Sequence, residues 1–264
     1  MEEASWLLGN EPVEEPLNVQ RELKRYEKNP LYAYLHELTG GAPDILVNEL
    51  ARYALAYEYF YLCLARYLTD MSVSIRWERG PRWIPRKHMS SRQRQVADQF
   101  KERAPYFELD FANALIHARI LCDRTIALSR YFLVPPPHPS FQSFNDHKRF
   151  FLRQQSPYGA NESYAEYIRN NTGWFDMPLK PVRDAYFIHQ GPKHIRFLGY
   201  PAGTQDLQLV ILHPRNPQHT KPLEQMKTIR VSVRCLARDL NQFLEWFNNY
   251  ALAAYRRVSK SKAR

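Results

Sequence analysis

Residues 43–70 read PDILVNELARYALAYEYFYLCLARYLTD and carry the strongest helical pattern in the chain. Asp44 after Pro43 suits a helix start, because an aspartate oxygen can accept hydrogen bonds from the first free backbone amides. Apolar side chains then cover one broad face of the predicted helix. They are Leu46, Leu50, Tyr53, Leu55, Tyr57, Phe60, Leu64 and Tyr67. The pattern predicts a long, mostly buried helix from Asp44 to about Asp70.

Similar spacing outside this stretch predicts a mainly α protein. Further helices are expected at about 19–38, 91–103, 109–133, 140–155, 161–171 and 223–258. One segment departs from this period, because Ile195, Phe197, Leu207, Leu209 and Ile211 alternate with other residues. Alternation is typical of a half-buried strand, so a single β-hairpin is expected near residues 194–212.

Composition narrows the class of protein. The 264-residue chain has a formal net charge of +10, which favours binding to phosphate polymers or acidic partners. The sequence has no apolar run of about 18 residues and begins with an acidic segment, so we expect no membrane span, no secretory signal and a cytoplasmic location. The three cysteines lie far apart and are expected to be small buried hydrophobes. No motif for a metal ion or a cofactor is present, and none is expected.

A basic loop that contains tryptophan is predicted at residues 72–88, where two prolines and a glycine interrupt the helical pattern. Its cations can contact phosphates, and its tryptophans can stack on bases. The candidate residues for binding nucleic acid are Arg76, Trp77, Arg79, Arg82, Trp83, Arg86 and Lys87. Alternatively, two tryptophans anchor the loop and its arginines are merely solvated. The sequence leaves both interpretations open.

A second polar pattern lies in residues 179–192, which read LKPVRDAYFIHQGP. Pro181 suits a first helical turn and Gly191 a helix end, so the pattern predicts a short helix that carries Arg183 and His189. The spacing Arg-x5-His resembles the Arg-x(4–6)-His motif of the HEPN superfamily, a group of helical domains that includes many metal-independent ribonucleases.

The resemblance implies an antiparallel helical bundle. It places a HEPN-like core at residues 105–258, after a helical extension at 17–104. We expect one domain over residues 17–258, with a flexible acidic arm at 1–16 and a basic tail at 259–264.

The same resemblance implies a chemistry for the motif. In a metal-independent ribonuclease of this type, His189 would move a proton at the ribose 2′-OH, because its ordinary pKa lies near neutrality. Arg183 would stabilise the charged phosphorane with its planar fork, and Asp184 would orient Arg183.

Three polar residues on the helix predicted at 109–133 are candidates to support this site: Asn113, His117 and Asp123. Asn113 and His117 are four residues apart and share one face. Asp123 can instead pair with Arg119, which is also four residues away.

Arg183 and His189 do not converge within one helix, because positions six apart point about 120° apart. HEPN enzymes solve this problem by dimerising, so the resemblance implies a homodimer with the helix predicted at 175–190 at its interface. It also implies RNA as the substrate and a toxin or defence setting with a protein partner or antitoxin. The alternative is a non-catalytic HEPN-like module that binds nucleotides, nucleic acid or protein.

Overall fold

The computed structural model is mainly α-helical, which confirms the predicted class. It describes residues 19–24, 44–132, 141–152, 162–183, 195–199, 208–214 and 226–262. The helices are α1 (Val19–Lys24), α2 (Asp44–Arg79), α3 (Ser91–Arg103), α4 (Phe107–Ala127), α5 (Ser129–Phe132), α6 (Phe144–Leu152), α7 (Glu162–Asn171), α8 (Lys180–Val182) and α9 (Val233–Lys262). Short 3-10 turns lie at Pro81–Trp83, Arg86–His88 and Ala104–Tyr106, and a π turn lies at Phe175–Leu179.

Helix α2 begins at Asp44 as predicted but runs to Arg79, so the predicted end near Asp70 was wrong. The apolar pattern continues past Asp70, and Met71 and Ile75 are both buried. Helix propagation stops only at Gly80 and Pro81, the first residues that disfavour it. Of the eight apolar positions that predicted the helix, seven are buried, and Leu55 is exposed.

Helix α3 begins with a capping box. The Gln93 backbone N–H donates to Ser90 Oγ at 3.3 Å, and the Ser90 backbone N–H donates to Gln93 Oε1 at 2.8 Å. These two bonds satisfy amides that have no partner within the helix. The start of this helix is therefore defined by the side chains that the sequence places there.

The helix predicted from about Phe175 to residue 190 begins irregularly. Met177 has extended φ and ψ angles (−153° and 116°), because a proline disfavours the helical conformation in the residue before it. Regular helix starts at Lys180, with Pro181 in its first turn. The later part of this predicted helix, including Asp184 and His189, lies outside the described residues.

The strands form a three-stranded antiparallel sheet in the order β1 (Ile195–Gly199), β2 (Gln208–Pro214) and β3 (Met226–Ser232). The assignment of residues 226–232 to the closing helix was wrong. Ile229 pairs with Ile211 and Val231 with Leu209, and β-branched residues suit extended backbone. Ser232 then caps α9, because its Oγ accepts the Cys235 backbone N–H at 3.0 Å.

The chain divides into two compact units, each built from separate segments. The first unit comprises Met1–Arg25, Leu62–Leu115 and Pro181–Leu236, and the second comprises Tyr26–Tyr61, Ile116–Lys180 and Ala237–Arg264. The single domain expected over residues 17–258 stays a prediction. The acidic arm expected at 1–16 lies outside the described residues, and α9 extends into the predicted basic tail as far as Lys262.

Each unit has its own aromatic packing. In the first unit, the Tyr67 and Phe111 rings meet edge to face at 5.8 Å. In the second unit, Phe144 lies 4.6 Å from Phe175 and 5.4 Å from Phe243, and all three rings are fully buried. Each such ring stabilises its core by about 1.5–3 kcal/mol through burial. None of the described helices combines the length and the apolar composition that a membrane crossing requires.

The capping box gives a direct test of the start of α3. Replacing Ser90→Ala should lower the free energy of unfolding by about 0.5–2 kcal/mol, because the Gln93 backbone N–H loses its acceptor, Ser90 Oγ. Ser91→Ala, one residue later and without a capping bond in the described structure, is the matched control. Urea denaturation measures both variants, and an equal loss for the two would contradict the role of Ser90.

Candidate functional site

The largest concentration of positive charge in the described first unit lies at residues 76–103. This segment contains nine Arg or Lys and three Asp or Glu residues, so its formal charge is +6 within a chain of +10. It spans the end of α2, two 3-10 turns and α3. More than half of the net charge of the chain therefore lies in about a tenth of its length.

The two tryptophans of this segment have different environments. Trp83 is 78% exposed, and the Arg82 guanidinium lies over its ring at 4.7 Å. Trp77 is half-buried at the end of α2 and stacks on Phe100 at 5.2 Å with 14° between the rings. Trp83 can therefore offer a ring to a ligand from solvent, whereas Phe100 already covers one face of Trp77.

The arginines of the segment are held by local contacts. Arg82 pairs with Glu78 one turn earlier in α2. Arg86 Nη2 lies 2.9 Å from Asp98 Oδ1, and both side chains are more than half exposed. Arg76 Nε donates to the Ser72 carbonyl at 3.3 Å. Exposed ion pairs stabilise a protein by only about 0–1 kcal/mol, so a phosphate can replace such a carboxylate at small cost.

The remaining predicted contacts also lie at the surface. Arg79 is exposed at the end of α2, and Lys87 is exposed in the second 3-10 turn. The seven predicted residues are close in sequence, and the structure places three of them on α2 and four in the two 3-10 turns that follow it. The prediction that residues 72–79 form a loop was wrong, because these residues belong to α2.

The structure describes only part of the Arg183 motif. Arg183 directly follows α8 and is half-buried, and it has an interaction partner. Asp184 and His189 lie outside the described residues. The arrangement of the three proposed catalytic residues therefore stays a prediction from the sequence.

The supporting polar residues have local structural roles. Arg119 Nε lies 3.1 Å from Asp123 Oδ2, which confirms the pair that their spacing indicates. Asp123 Oδ1 also accepts the Phe144 backbone N–H at 2.6 Å, and so it binds the first amide of α6. Such a carboxylate stabilises the positive end of a helix.

His117 and Asn113 are half-buried on α4. The His117 ring lies 5.7 Å from the Tyr59 ring, and burial lowers the pKa of His117. Its imidazole is therefore neutral at physiological pH and packs as an aromatic ring.

A buried carboxyl pair in the first unit was missed from the sequence. Asp70 on α2 and Asp110 on α4 are 2% and 3% exposed. Arg103 Nη1 lies 2.6 Å from Asp70 Oδ1, and Arg66 Nη2 lies 3.1 Å from Asp110 Oδ1. Asp70 Oδ2 has no hydrogen-bond partner among the described residues.

Burial, and then the neighbouring Asp110 carboxyl, raise the pKa of Asp70 to about 6, and Arg103 opposes the shift. One signal in the sequence points to the burial of Asp70. Asp70 lies inside an apolar pattern that continues to Met71 and Ile75, so an acid there falls on a buried part of α2.

The thiols are unpaired, and they differ in exposure: Cys63 is half-buried, Cys122 buried and Cys235 exposed. The expectation that all three are buried is therefore wrong for Cys235. Burial raises the pKa of Cys63 and of Cys122, which keeps these two thiols protonated and unreactive. Among the described residues, no three His, Cys, Asp or Glu side chains are grouped as metal ligands.

The polar groups of the second unit hold its helices together. The buried Lys148 Nζ donates to the Thr172 carbonyl at 2.6 Å and lies 2.6 Å from Asp176 Oδ2. Its charge therefore sits just beyond the end of α7, where a cation is favoured. Tyr164 OH lies 2.9 Å from His147 Nε2, and both side chains are fully buried. Burial raises the pKa of Tyr164 well above its ordinary value.

Comparison with protein-family models, curated proteins and solved structures finds no match to this chain. The HEPN resemblance therefore rests on the spacing of Arg183 and His189 and on the helical class.

The carboxyl pair predicts how stability depends on pH. The folded protein binds the Asp70 proton more tightly than the unfolded chain, so this contribution is complete below pH 3.8 and is lost as pH rises through about 6. Asp70→Asn removes the ionisable group, so the variant does not lose this contribution to stability as pH rises. Relative to wild type, its free energy of unfolding should rise with pH by at most about 1.4 kcal/mol per unit.

Urea denaturation across about pH 4–7 measures this difference. Asp98→Asn is the control, because it removes one carboxylate from an exposed position on α3. A constant difference between Asp70→Asn and wild type would show that Asp70 titrates normally.

Proposed function

We propose that this protein binds single-stranded RNA through the basic segment at residues 76–103. The observation that carries the proposal is the formal charge of +6 in that segment around the exposed ring of Trp83. Phosphates supply the counter-charge for such a surface, and every base has a face that can stack on an aromatic ring.

Single-stranded RNA suits this surface better than a duplex does. A duplex hides the faces of its bases, whereas a single strand exposes them for stacking. Arg82 lies over Trp83, so a base stacked on the free side of that ring would have a cation close by. This arrangement combines a stacking platform with neighbouring phosphate contacts.

We further propose that the chain cleaves RNA without a metal ion through Arg183 and His189. The support is the Arg-x5-His spacing and the half-buried position of Arg183 directly after a helical turn that begins with Lys180 and Pro181. His189 would move the proton of the attacking 2′-OH, Arg183 would stabilise the charged phosphorane, and Asp184 would orient Arg183.

Two corollaries accompany the cleavage proposal. The two motif residues would act across a homodimer interface, because they point about 120° apart on one helix. Uncontrolled RNA cleavage harms a cell, so a toxin or defence role with a neutralising protein partner would follow. A non-catalytic module that binds RNA is the second candidate, and the basic segment supports it equally.

Binding is tested by its salt dependence. Arg79→Ala combined with Arg82→Ala should weaken RNA binding and lower the slope of log affinity against log salt by about 0.7 per lost phosphate contact. The matched control combines Arg124→Ala with Arg149→Ala, two exposed arginines outside the segment, and removes the same charge. Fluorescence anisotropy with a labelled single strand gives both slopes. Equal slopes for the two double variants would remove the segment from the site.

Cleavage is tested with full-length variants and single-stranded RNA in the presence of EDTA. His189→Ala should lose about 10²–10⁴ in rate, the range for a general acid or base. Arg183→Lys should also fail, because lysine keeps the charge but not the planar fork. Asp184→Asn should lose less, and the melting temperatures should stay close to that of the wild type.

Three outcomes separate the candidates. Cleavage that persists in His189→Ala would exclude the catalytic role of this residue, and cleavage abolished by EDTA would exclude a metal-free reaction. RNA binding without any cleavage would favour the non-catalytic module.

A further inference from the structure

A cavity of about 440 Å³ lies in the first unit beside the basic segment. Six of its eight lining residues are apolar: Trp77, Met89, Ala97, Phe100, Ala104 and Pro105. They come from the end of α2, from the link just before α3 (Met89), from α3 and from the 3-10 turn that follows α3. Ligand pockets usually measure about 300–1,000 Å³, so the cavity has room for a group of the size of one nucleotide.

Two stacked rings give the cavity an aromatic wall. Trp77 and Phe100 lie 5.2 Å apart and nearly parallel, and both are half-buried rather than enclosed. Phe100 also contacts Phe107 at 5.9 Å, which holds its ring in place. A flat ring that enters the cavity would gain apolar burial and aromatic contact without displacing these side chains.

The two other lining residues are both cations, Arg86 and Lys101. Arg86 uses one nitrogen for its exposed pair with Asp98, and its guanidinium has further donors for a second acceptor. Lys101 is exposed on α3. The preferred ligand is therefore flat and apolar at one end and anionic at the other.

We infer that this cavity is a base-binding subsite for single-stranded RNA, with a base against Trp77 and Phe100 and its phosphate at Arg86 and Lys101. The inference rests on the proposed RNA binding. A simple acyl anion needs only one cation, whereas the nine cations of the segment match a chain of phosphates that continues beyond the cavity.

The test compares two ligands with the same backbone charge. One is a labelled oligoadenylate of about ten nucleotides, within the range of single-strand site sizes, and the other is the abasic strand of equal length. The full-length wild-type protein should bind the oligoadenylate about tenfold more tightly or better, because stacking on the protein needs the base.

Ala97→Phe fills the cavity from α3 and should remove the part of the oligoadenylate preference that comes from the cavity, with an unchanged salt slope and with stacking on Trp83 retained. Gln95→Phe is the matched control on the same helix, exposed and outside the cavity lining, and should keep the preference. Ala97→Leu should give a smaller loss in the same direction, so the test survives if the larger ring destabilises α3.

Results that contradict the subsite differ from results that contradict RNA binding. If both strands bind equally and with a steep salt dependence, RNA binding stands and the subsite is wrong. If Ala97→Phe keeps the whole preference for bases, all stacking occurs elsewhere, on Trp83 for example, and the subsite is again wrong. If neither strand binds, the proposed function fails. Adenosine monophosphate, observed by ligand-detected NMR, then decides whether the cavity takes a free nucleotide that Ala97→Phe excludes, and no binding would overturn the site.

Discussion

Burial of a continuous apolar face along α2 is the constraint on which the described structure depends. The helix has 36 residues and is therefore about 54 Å long, well beyond the roughly 30 Å of a small domain. Residues of α2 up to Tyr61 belong to the second unit, and those from Leu62 belong to the first. Buried positions recur from Leu46 to Ile75.

The same helix also positions the polar features. Asp70 lies on the buried part of α2, where a charged carboxylate costs free energy because it loses contact with water. Arg103 supplies a counter-charge, and burial raises the pKa of Asp70, which favours the neutral form. Beyond Ile75 no residue of α2 is fully buried, and Arg76 and Arg79 are exposed. The basic segment therefore starts where the buried part of α2 ends.

Local signals were sufficient to predict much of the fold. Asp44 as a helix start, Ser90 as a cap and the Arg119–Asp123 pair all act within a few residues, so the sequence displays them directly. The predicted end of α2 came too early, because Gly80, Pro81 and Pro85 stop a helix only where they stand and do not prevent residues 72–79 from continuing it. β3 was missed because its apolar residues also fit a helical spacing.

The missed parts of the candidate site depend on contacts between distant segments. No local pattern pairs Asp70 with Asp110 or stacks Trp77 on Phe100, because packing between α2, α3 and α4 creates those contacts. Trp83 lies in the turn between Gly80 and Pro85 and is exposed, so it does not anchor the loop, which was one of the two interpretations that the sequence leaves open.

In the proposed RNA binding, the ion pairs of the basic segment would favour the complex more than they oppose it. The pairs of Arg82 with Glu78 and of Arg86 with Asp98 are exposed, so each stabilises the fold by at most about 1 kcal/mol. A hydrogen bond from arginine to phosphate is charge-assisted and often bidentate, and binding also releases counterions. The carboxylates therefore hold the guanidinium groups in place while the surface is empty, and a phosphate can displace them at lower cost than ordering a free side chain would require.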